Sequence, residues 1–499
     1  MPISEREIKR VSVAQGAVLV VAMRWTDRLV GVLSTVILAR LLLPEDFGIV
    51  AMASIVVGLI DTLLDLGVGS ALVQNKHAGR EEFDTAWTLR LLQAVFAALL
   101  VWLAAPFAAD YFRDPRVIDV IRVMALAILI GGFENIGIVA FQKNMEFGRD
   151  FQFFFFRRVA GFVVTIALAF SLKSYWAMVI GAVVGRTVGV AISYSLHEYR
   201  PQFSMARFRQ LWSFSKWIII GNVGGYGLMQ IDKFLVGRRT DAATMGSYSL
   251  ADDIAAMPTT ELLSPLSRVL FPVFVDSAHD PEKLRSAFCK AIGVQSLVAL
   301  PAGIGLFTIA GDAVLLLLGE RWEQAVPLVQ TLALINIFSA LSYSSSYLLL
   351  ALGKVSVQAY LSWLRMVLLV FLLVAVFPEA GAQGIADIRL ATTAFGFIVF
   401  VYLVLHYAQS VRLRDYIEHA WRPLLSTGVM ALSLSIFPRL DSLGLLLQVI
   451  FSVAFGAGVY ICSILSLWRI CKCCDGAETY LLEKLRIKDQ IVSWMHCKR

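Results

Sequence analysis

Long apolar segments recur along the chain, with only short polar connections between them. One helix needs roughly 20 apolar residues to cross a bilayer, and the pattern predicts about 14 such helices. The predicted spans are near 12–40, 47–73, 85–108, 117–140, 151–172, 174–196, 211–236, 246–271, 287–318, 325–352, 356–377, 383–407, 423–438 and 443–468. The pattern therefore predicts an all-α polytopic membrane protein.

The composition supports this prediction. Of the 499 residues, 58% are hydrophobic and only 16% are charged, whereas soluble domains carry about 45–50% apolar and about 25% charged residues. No polar stretch is long enough for a separate domain, which excludes a soluble enzyme held by one anchor. The segment Met1 to Glu7 is polar and unlike a cleaved signal peptide, so the first apolar segment is expected to remain as a span.

The distribution of basic residues predicts the orientation. With a cytoplasmic N-terminus, most lysines and arginines fall in loops on the cytoplasmic side, as the positive-inside rule requires. The opposite loops hold only Arg113, Arg116, Lys173, Arg238, Arg239, Arg321 and Arg439. Both termini are therefore expected in the cytoplasm, which agrees with an even number of spans. The net charge of +7 then reflects cytoplasmic flanks and not nucleic-acid binding.

The longest polar connection lies near the middle of the chain and predicts two lobes. Asp27 to Gly31 in the first span and Asp232 to Gly237 in the seventh form a faint internal repeat, and such repeats are typical of secondary transporters. A chance similarity between two apolar segments is the alternative. The predicted parts are an N-terminal lobe (1–197), a cytoplasmic linker (198–216), a C-terminal lobe (217–410), spans 13 and 14 (411–468) and a basic, cysteine-rich cytoplasmic tail (469–499).

No catalytic or metal-binding motif is recognised in the sequence. A phosphate-binding G-x-x-x-x-G-K-[ST] loop, an H-E-x-x-H helix and a nucleophile elbow are all missing, so we expect a protein without enzymatic activity. Five of the six cysteines lie between Cys462 and Cys497. Their spacing fits neither a zinc ribbon nor a zinc finger, and we expect reduced cysteines and no metal.

Ionisable residues inside the predicted spans are the candidates for function. A charge at the bilayer centre costs at least about 2.5–3.5 kcal/mol on insertion scales, so such residues face a partner or a water-filled cavity. The candidate cations, whose donors suit an anionic substrate, are Arg24, Arg28, Arg186, Lys233 and Arg365. The candidate acids for a coupling ion are Asp27, Asp61, Asp65, Glu134 and Asp232. The alternative for any single residue is neutralisation by a neighbour between packed helices.

Four segments resemble a known family. Val36–Gly48 looks like the "ARLL-x-PEDFG" signature of bacterial polysaccharide transporters, and Asp65–Gln74 is similar to their "DLG-x-x-x-ALVQ" segment. Gln142–Phe147 resembles the loop after their fourth span, and Asp232–Ala251 resembles their seventh-to-eighth span element. The resemblance covers about residues 10–410. It identifies the polysaccharide transport branch of the multidrug/oligosaccharidyl-lipid/polysaccharide (MOP) exporters, the Wzx-type flippases.

The resemblance implies a fold and an activity. The fold has two six-helix lobes in a V shape, as in the multidrug (MATE) exporters, followed by two further helices. The activity is transfer of an undecaprenyl-pyrophosphate-linked oligosaccharide across the bacterial inner membrane for exopolysaccharide, capsule or lipopolysaccharide O-antigen synthesis. The resemblance implies coupling to H⁺ or Na⁺ and no cofactor. Implied partners are the lipid-linked oligosaccharide, membrane lipids, and polysaccharide polymerase and assembly proteins.

Three alternatives stay open. A lipid II flippase would share the lobes and a cationic cavity, and only its substrate would differ. A multidrug or cation antiporter would need an acid-lined cavity, and the arginines in the first and sixth spans argue against it. A membrane-embedded glycosyltransferase or polymerase would normally carry a large periplasmic loop, whereas the connection from Phe377 to Arg389 is short.

Overall fold

The computed structural model describes residues 23, 25–75, 78–144, 146–208, 226–227, 229–263, 266–436, 444–471 and 478–479, apart from the side chains at 260, 261, 267 and 268. These residues are predominantly helical and contain no β-strand, which confirms the all-α prediction. Arg24 and most of the cysteine-rich tail lie outside the described residues.

Contact patterns divide the chain into two compact units, Met1–Gly246 and Ser247–Arg499. The predicted lobe boundaries stay predictions, and the linker 198–216 is described only as far as Phe208. The helices of the first unit are α1 (25–41), α2 (Pro44–Leu64), α3 (Val68–Gln74), α4 (Arg80–Phe112), α5 (Arg116–Gly132), α6 (Val139–Lys143), α7 (Phe147–Leu172), α8 (Trp176–Leu196), α9 (229–239) and α10 (Ala242–Ala256), the last of which continues into the second unit.

In its described residues, the second unit continues with seven longer helices and with short 3-10 or π-helical turns. A π-helical turn spans Met257–Glu261, a 3-10 turn spans Glu320–Ala325, and a second π-helical turn spans Leu372–Val376. The helices are α11 (Ser267–Ser277), α12 (Pro281–Leu317), α13 (Val326–Ala351), α14 (Val355–Phe371), α15 (Ala382–Tyr407), α16 (Leu413–Ile436) and α17 (Leu445–Ile470).

The helices confirm a multi-pass membrane protein. Nine helices in the described part of the chain are long and apolar enough to cross a membrane, and one bent pair raises this number to 10. The predicted total of about 14 spans stays a prediction. Large apolar side chains such as Phe107, Ile398 and Ile436 are exposed, as expected of surfaces that face lipid.

Small residues allow close packing of α7 against α8. Gly181, Gly185 and Gly189 recur every four residues along α8 and form one face toward α7. A Cβ atom at Gly185 would lie 3.3 Å from the Cα atom of Gly161, and one at Gly181 would overlap the Thr165 hydroxyl. Small residues at this spacing let two membrane helices approach backbone to backbone.

A buried ion pair holds part of the tail within the second unit. Arg422 of α16 lies 3.4 Å from Glu478, and the two side chains are only 5% and 7% exposed. Beside this pair, the Trp468 indole N–H of α17 donates a hydrogen bond to the Thr479 hydroxyl at 3.0 Å. Glu478 and Thr479 of the tail thus contact α16 and α17.

Candidate functional site: a charged cavity in the first unit

The second predicted span is broken near its C-terminal end. Helix α2 ends at Leu64, and α3 begins at Val68. Gly67 has a φ of +59°, a left-handed conformation that glycine adopts without steric cost. Its N–H donates a hydrogen bond to Asp65 Oδ1 at 2.9 Å. This aspartate–glycine turn places the Asp65 carboxylate at the break.

The fourth predicted span is broken as well. Helix α5 ends at Gly132, and the following segment Ile136–Lys143 is inclined to it by 68°. Asn135 stabilises the bend, since its Oδ1 accepts a hydrogen bond from Gly137 N–H and its own N–H donates to Ser193 Oγ, both at 2.9 Å. Irregular backbone within a membrane bundle is tolerated where it lies against protein or lines a cavity.

Both breaks line one cavity of about 570 Å³ within the first unit. Its apolar lining is aliphatic, and its glycines lie at the two breaks. The polar side chains that line it are Asp61, Thr62, Asp65, Ser70, Arg90, Gln93 and Arg186. Two carboxylates and two guanidinium groups therefore face the same space, and their formal charges cancel.

One of the two cavity arginines has a buried counterion. Arg90 Nη2 lies 3.0 Å from Glu134 Oε1, and Arg157 Nη1 lies 3.4 Å from Glu134 Oε2. Glu134 is only 3% exposed and follows the α5 break. A single carboxylate thus bridges arginines from α4 and α7, and this Arg90–Glu134–Arg157 triad holds Arg90 at the cavity wall.

Arg186 differs from Arg90. It lies on α8 and is half-buried, and it forms no hydrogen bond or ion pair with any other residue in the described part of the chain. Its guanidinium packs beside Gly131, where a Cβ atom would lie 3.5 Å from Nη1. The Arg186 donors are therefore available to a bound molecule.

The other candidates from the sequence lie elsewhere. Asp27 pairs with Arg158 at 3.0 Å, and both side chains are substantially exposed. Asp232 on α9 is buried and Arg28 on α1 is half-buried. Lys233, also on α9, is half-buried. In the second unit, Arg365 packs against Gly396 and donates to Thr393 Oγ1 at 3.4 Å.

Of the ten candidates, Asp61, Asp65 and Arg186 meet in the cavity, and Glu134 lies directly behind it. Sequence reasoning missed Arg90 and Gln93, although Arg90 is a charged residue inside the third predicted span and could have been found by that signal. The sequence predicts a cavity lined by cations, whereas this cavity is lined by positive and negative side chains. A cation-lined cavity elsewhere in the chain stays a prediction.

A segment after α8, residues 197–208, is bound along the start of α4, and we call it the strap. Asp84 Oδ1 accepts hydrogen bonds from the Tyr199 hydroxyl and, at 2.8 Å, from the Gln202 N–H. The Thr88 hydroxyl accepts from the Ser204 N–H at 3.0 Å. Burial and the bond to Asp84 raise the pKa of Tyr199. The Asn135 side chain donates to the Tyr199 carbonyl at 2.6 Å, which ties the strap to the α5 break.

The strap begins with a partly buried histidine. His197 Nδ1 accepts a hydrogen bond from the Tyr199 N–H at 3.0 Å, so this nitrogen carries no proton. Burial lowers the pKa of His197 below its ordinary value of 6.5, and the neighbouring charges partly offset one another. Those neighbours are Glu146, Arg149, Glu198 and Arg200.

The sequence is similar to proteins of polysaccharide synthesis. The family model described as "Polysaccharide biosynthesis protein" matches residues 37–327, more than half of the chain. The lipopolysaccharide biosynthesis protein WzxC of Escherichia coli K12 is 25% identical over 417 residues, which cover 81% of this chain and 84% of the relative. The teichuronic acid biosynthesis protein TuaB of Bacillus subtilis is 24% identical over 434 residues, covering 85% and 88%.

The fold is similar to solved transporters. The lipid II flippase MurJ, in an inward closed conformation, has a TM-score of 0.72 at 12% identity and covers 91% of this chain and 99% of its own. An inward-facing MATE multidrug transporter of the MOP superfamily has a TM-score of 0.58 at 16% identity, covering 77% and 96%. At these identities the likeness concerns the fold alone. The chain belongs to the polysaccharide biosynthesis protein family.

Proposed function

We propose that the chain is a flippase that moves an undecaprenyl-pyrophosphate-linked oligosaccharide from the cytoplasmic to the periplasmic face of the bacterial inner membrane. The observation that carries the proposal is the alignment of more than four-fifths of the chain with relatives named for lipopolysaccharide and teichuronic acid biosynthesis. A shorter alignment, 28% identical over 300 residues, is with a succinoglycan biosynthesis transport protein, ExoT of Rhizobium meliloti.

The chemistry of such a substrate explains the need for a protein. A pyrophosphate and its sugars cannot cross hydrocarbon unaided, because their charges and hydroxyls would lose their hydrogen bonds to water. A polar cavity inside a membrane bundle replaces those hydrogen bonds, while the polyprenyl chain stays in lipid. No covalent bond changes in this step, so we expect a transporter without catalytic residues.

An ion gradient would drive the transfer by biasing alternating access. Asp61 and Asp65 lie one helical turn apart in the cavity, and H⁺ exchange on them would change the charge presented to the substrate. Na⁺ exchange would take place outside this cavity, on the buried Asp232 of α9. The coupling part of the proposal predicts slower flipping when the proton and sodium gradients are collapsed. Equal flipping rates with and without the gradients would contradict it.

The proposed location follows from the same role. An inner-membrane position with both termini in the cytoplasm places the lysine-rich and arginine-rich loops inside, as the positive-inside rule requires. Polysaccharide polymerase and assembly proteins would receive the transferred unit on the periplasmic side. A cysteine at the C-terminus that reacts with a membrane-impermeant reagent in intact cells would contradict this orientation.

The decisive experiment measures lipid-linked oligosaccharide in a deletion strain. We expect the carrier-linked unit to accumulate on the cytoplasmic face, and expression of the wild-type chain to relieve this accumulation. Arg186→Ala should fail to relieve it, whereas Lys283→Ala should succeed, because the Lys283 side chain is 76% exposed at the start of α12. Normal carrier turnover in the deletion strain, with altered drug sensitivity, would contradict the proposal and favour a multidrug exporter.

A further inference from the structure

We infer that the cavity of the first unit binds the sugar portion of the lipid-linked substrate and not its pyrophosphate. The inference rests on the proposed function and adds which part of the substrate this cavity recognises. It is carried by the charge balance of the lining, by the hydrogen-bonding groups it presents and by its size.

The charge balance disfavours an ionic ligand of either sign. Asp61 and Asp65 oppose Arg90 and Arg186 in the lining, and behind the wall Glu134 opposes Arg157. A pyrophosphate would be attracted by the guanidinium groups and repelled by the two carboxylates. A cation would be attracted by the carboxylates and repelled by the guanidinium groups. A neutral molecule meets neither repulsion.

The hydrogen-bonding groups suit a molecule with many hydroxyls. Ionised carboxylates only accept hydrogen bonds, and guanidinium groups only donate them, whereas each sugar hydroxyl does both. Thr62, Ser70 and Gln93 add groups that donate and accept in the same cavity. One sugar hydroxyl can therefore donate to Asp61 and accept from Arg186, whose donors have no partner among the described residues.

The size of the cavity agrees with a small organic ligand. Its volume of about 570 Å³ lies within the roughly 300–1,000 Å³ typical of ligand pockets. A dehydrated metal ion needs oxygen ligands within only about 2.3–2.6 Å, so the cavity is much larger than an ion cage. The glycines at the two helix breaks leave backbone surface open to the ligand.

Two single substitutions separate the three classes of ligand by the direction of their effects. Asp61→Asn removes a negative charge, and Arg186→Gln removes a positive one. If the ligand is a neutral sugar, both changes weaken binding, by about tenfold or more for one charge-assisted hydrogen bond. An anion would bind the Asp61→Asn variant more tightly and the Arg186→Gln variant more weakly, and a cation would show the opposite.

Thiol protection provides the binding measurement. Ser70 lies in the lining and is exposed, and the first unit contains no native cysteine because all six follow residue 288. We would follow the reaction of Ser70→Cys with a charged methanethiosulfonate reagent by peptide-resolved mass spectrometry in the full-length chain. Ser195→Cys, exposed and outside the lining, is the matched control.

The two probes are the oligosaccharide released by mild acid from the lipid carrier of the encoding strain, and undecaprenyl pyrophosphate without sugar. We expect the free oligosaccharide to protect Ser70→Cys but not Ser195→Cys, with protection weakened in both charge variants and insensitive to salt. Undecaprenyl pyrophosphate should give no protection at Ser70→Cys.

Three results would overturn the inference. In the first, undecaprenyl pyrophosphate protects the Ser70→Cys thiol, and Asp61→Asn strengthens that protection. In the second, NaCl protects the thiol, and Arg186→Gln strengthens that protection. In the third, the free oligosaccharide does not protect the thiol. Each result leaves the flippase assay in the deletion strain unaffected. A failed inference with normal complementation is thereby distinguished from a failure of the proposed function itself.

Discussion

The Arg90–Glu134–Arg157 triad allows a quantitative prediction for the change Glu134→Gln. The substitution preserves the size of the side chain and removes its charge. Glu134 is 3% exposed, while the two arginine side chains are about a quarter exposed, at 26% and 25%. The variant therefore leaves two guanidinium groups close together without their shared counterion.

The expected loss of stability is about 3–5 kcal/mol. A pair of unit charges at 4 Å interacts with about 4 kcal/mol at an effective dielectric constant near 20. Glu134 makes two such contacts, at 3.0 and 3.4 Å, but desolvation of its carboxylate offsets much of that attraction. Removing one partner of a buried ion pair typically costs about 3–5 kcal/mol because the remaining charge is uncompensated.

The assay is unfolding in mixed detergent and SDS micelles, followed by tryptophan fluorescence. The matched control is Glu418→Gln, since Glu418 pairs with an 81% exposed arginine on α16 and exposed pairs contribute about 0–1 kcal/mol. Adding Arg157→Gln to Glu134→Gln should recover part of the loss. A Glu134→Gln variant as stable as the control would refute the reasoning, because it would mean that the buried triad contributes no net stability.

Three further predictions concern other parts of the chain. Because burial lowers the pKa of His197, the contribution of this residue to strap stability is complete above about pH 6.5 and is lost as the pH falls below it. The hydrogen-exchange protection factors of the strap, which correct for slower intrinsic exchange in acid, should therefore decrease below that pH in the wild type but not in His197→Gln. Gly185→Leu should lower thermal stability by about 1–3 kcal/mol through overpacking, whereas Gly428→Leu, with no atom within 4 Å of its Cβ position, should not. Glu478→Leu should cost about 3–5 kcal/mol in denaturant unfolding, and adding Arg422→Leu should restore most of it.

The positions of several helices could be predicted from the sequence, because an apolar run of about 20 residues marks a membrane-spanning helix locally. The predicted spans 151–172, 174–196, 325–352 and 383–407 agree within a few residues with α7, α8, α13 and α15. The exposed polar connections also lie between the observed helices, since polar residues are costly in lipid. These features depend on local composition and need no knowledge of packing.

The helix breaks were not predicted, although local signals exist. The span near 47–73 contains Asp65-Leu66-Gly67, and the span near 117–140 contains Glu134-Asn135-Ile136-Gly137. Both segments place polar residues and glycine inside an apolar run, a pattern that also occurs in unbroken helices. Whether a helix breaks there depends on partners distant in sequence, such as Ser193, which accepts the Asn135 N–H.

Charge pairing was the least predictable feature of the site. Asp27 on α1 forms an ion pair with Arg158 on α7, a residue far away in the sequence. Likewise, Glu134 pairs with arginines 44 and 23 residues away. Such pairs depend on how neighbouring helices are rotated and packed against each other. Apolar periodicity indicates only which face of a helix is apolar.

The triad connects the stability of the first unit with the selectivity proposed for its cavity. Arg90 lines the cavity, and its charge is balanced from behind by Glu134. Without that carboxylate, Arg90 and Arg157 would add uncompensated positive charge beside Asp61 and Asp65. A Glu134→Gln chain that still folds should then bind undecaprenyl pyrophosphate more tightly than the wild type does. The neutral lining, and with it the preference for sugar over pyrophosphate, thus depends on a residue that does not contact the ligand.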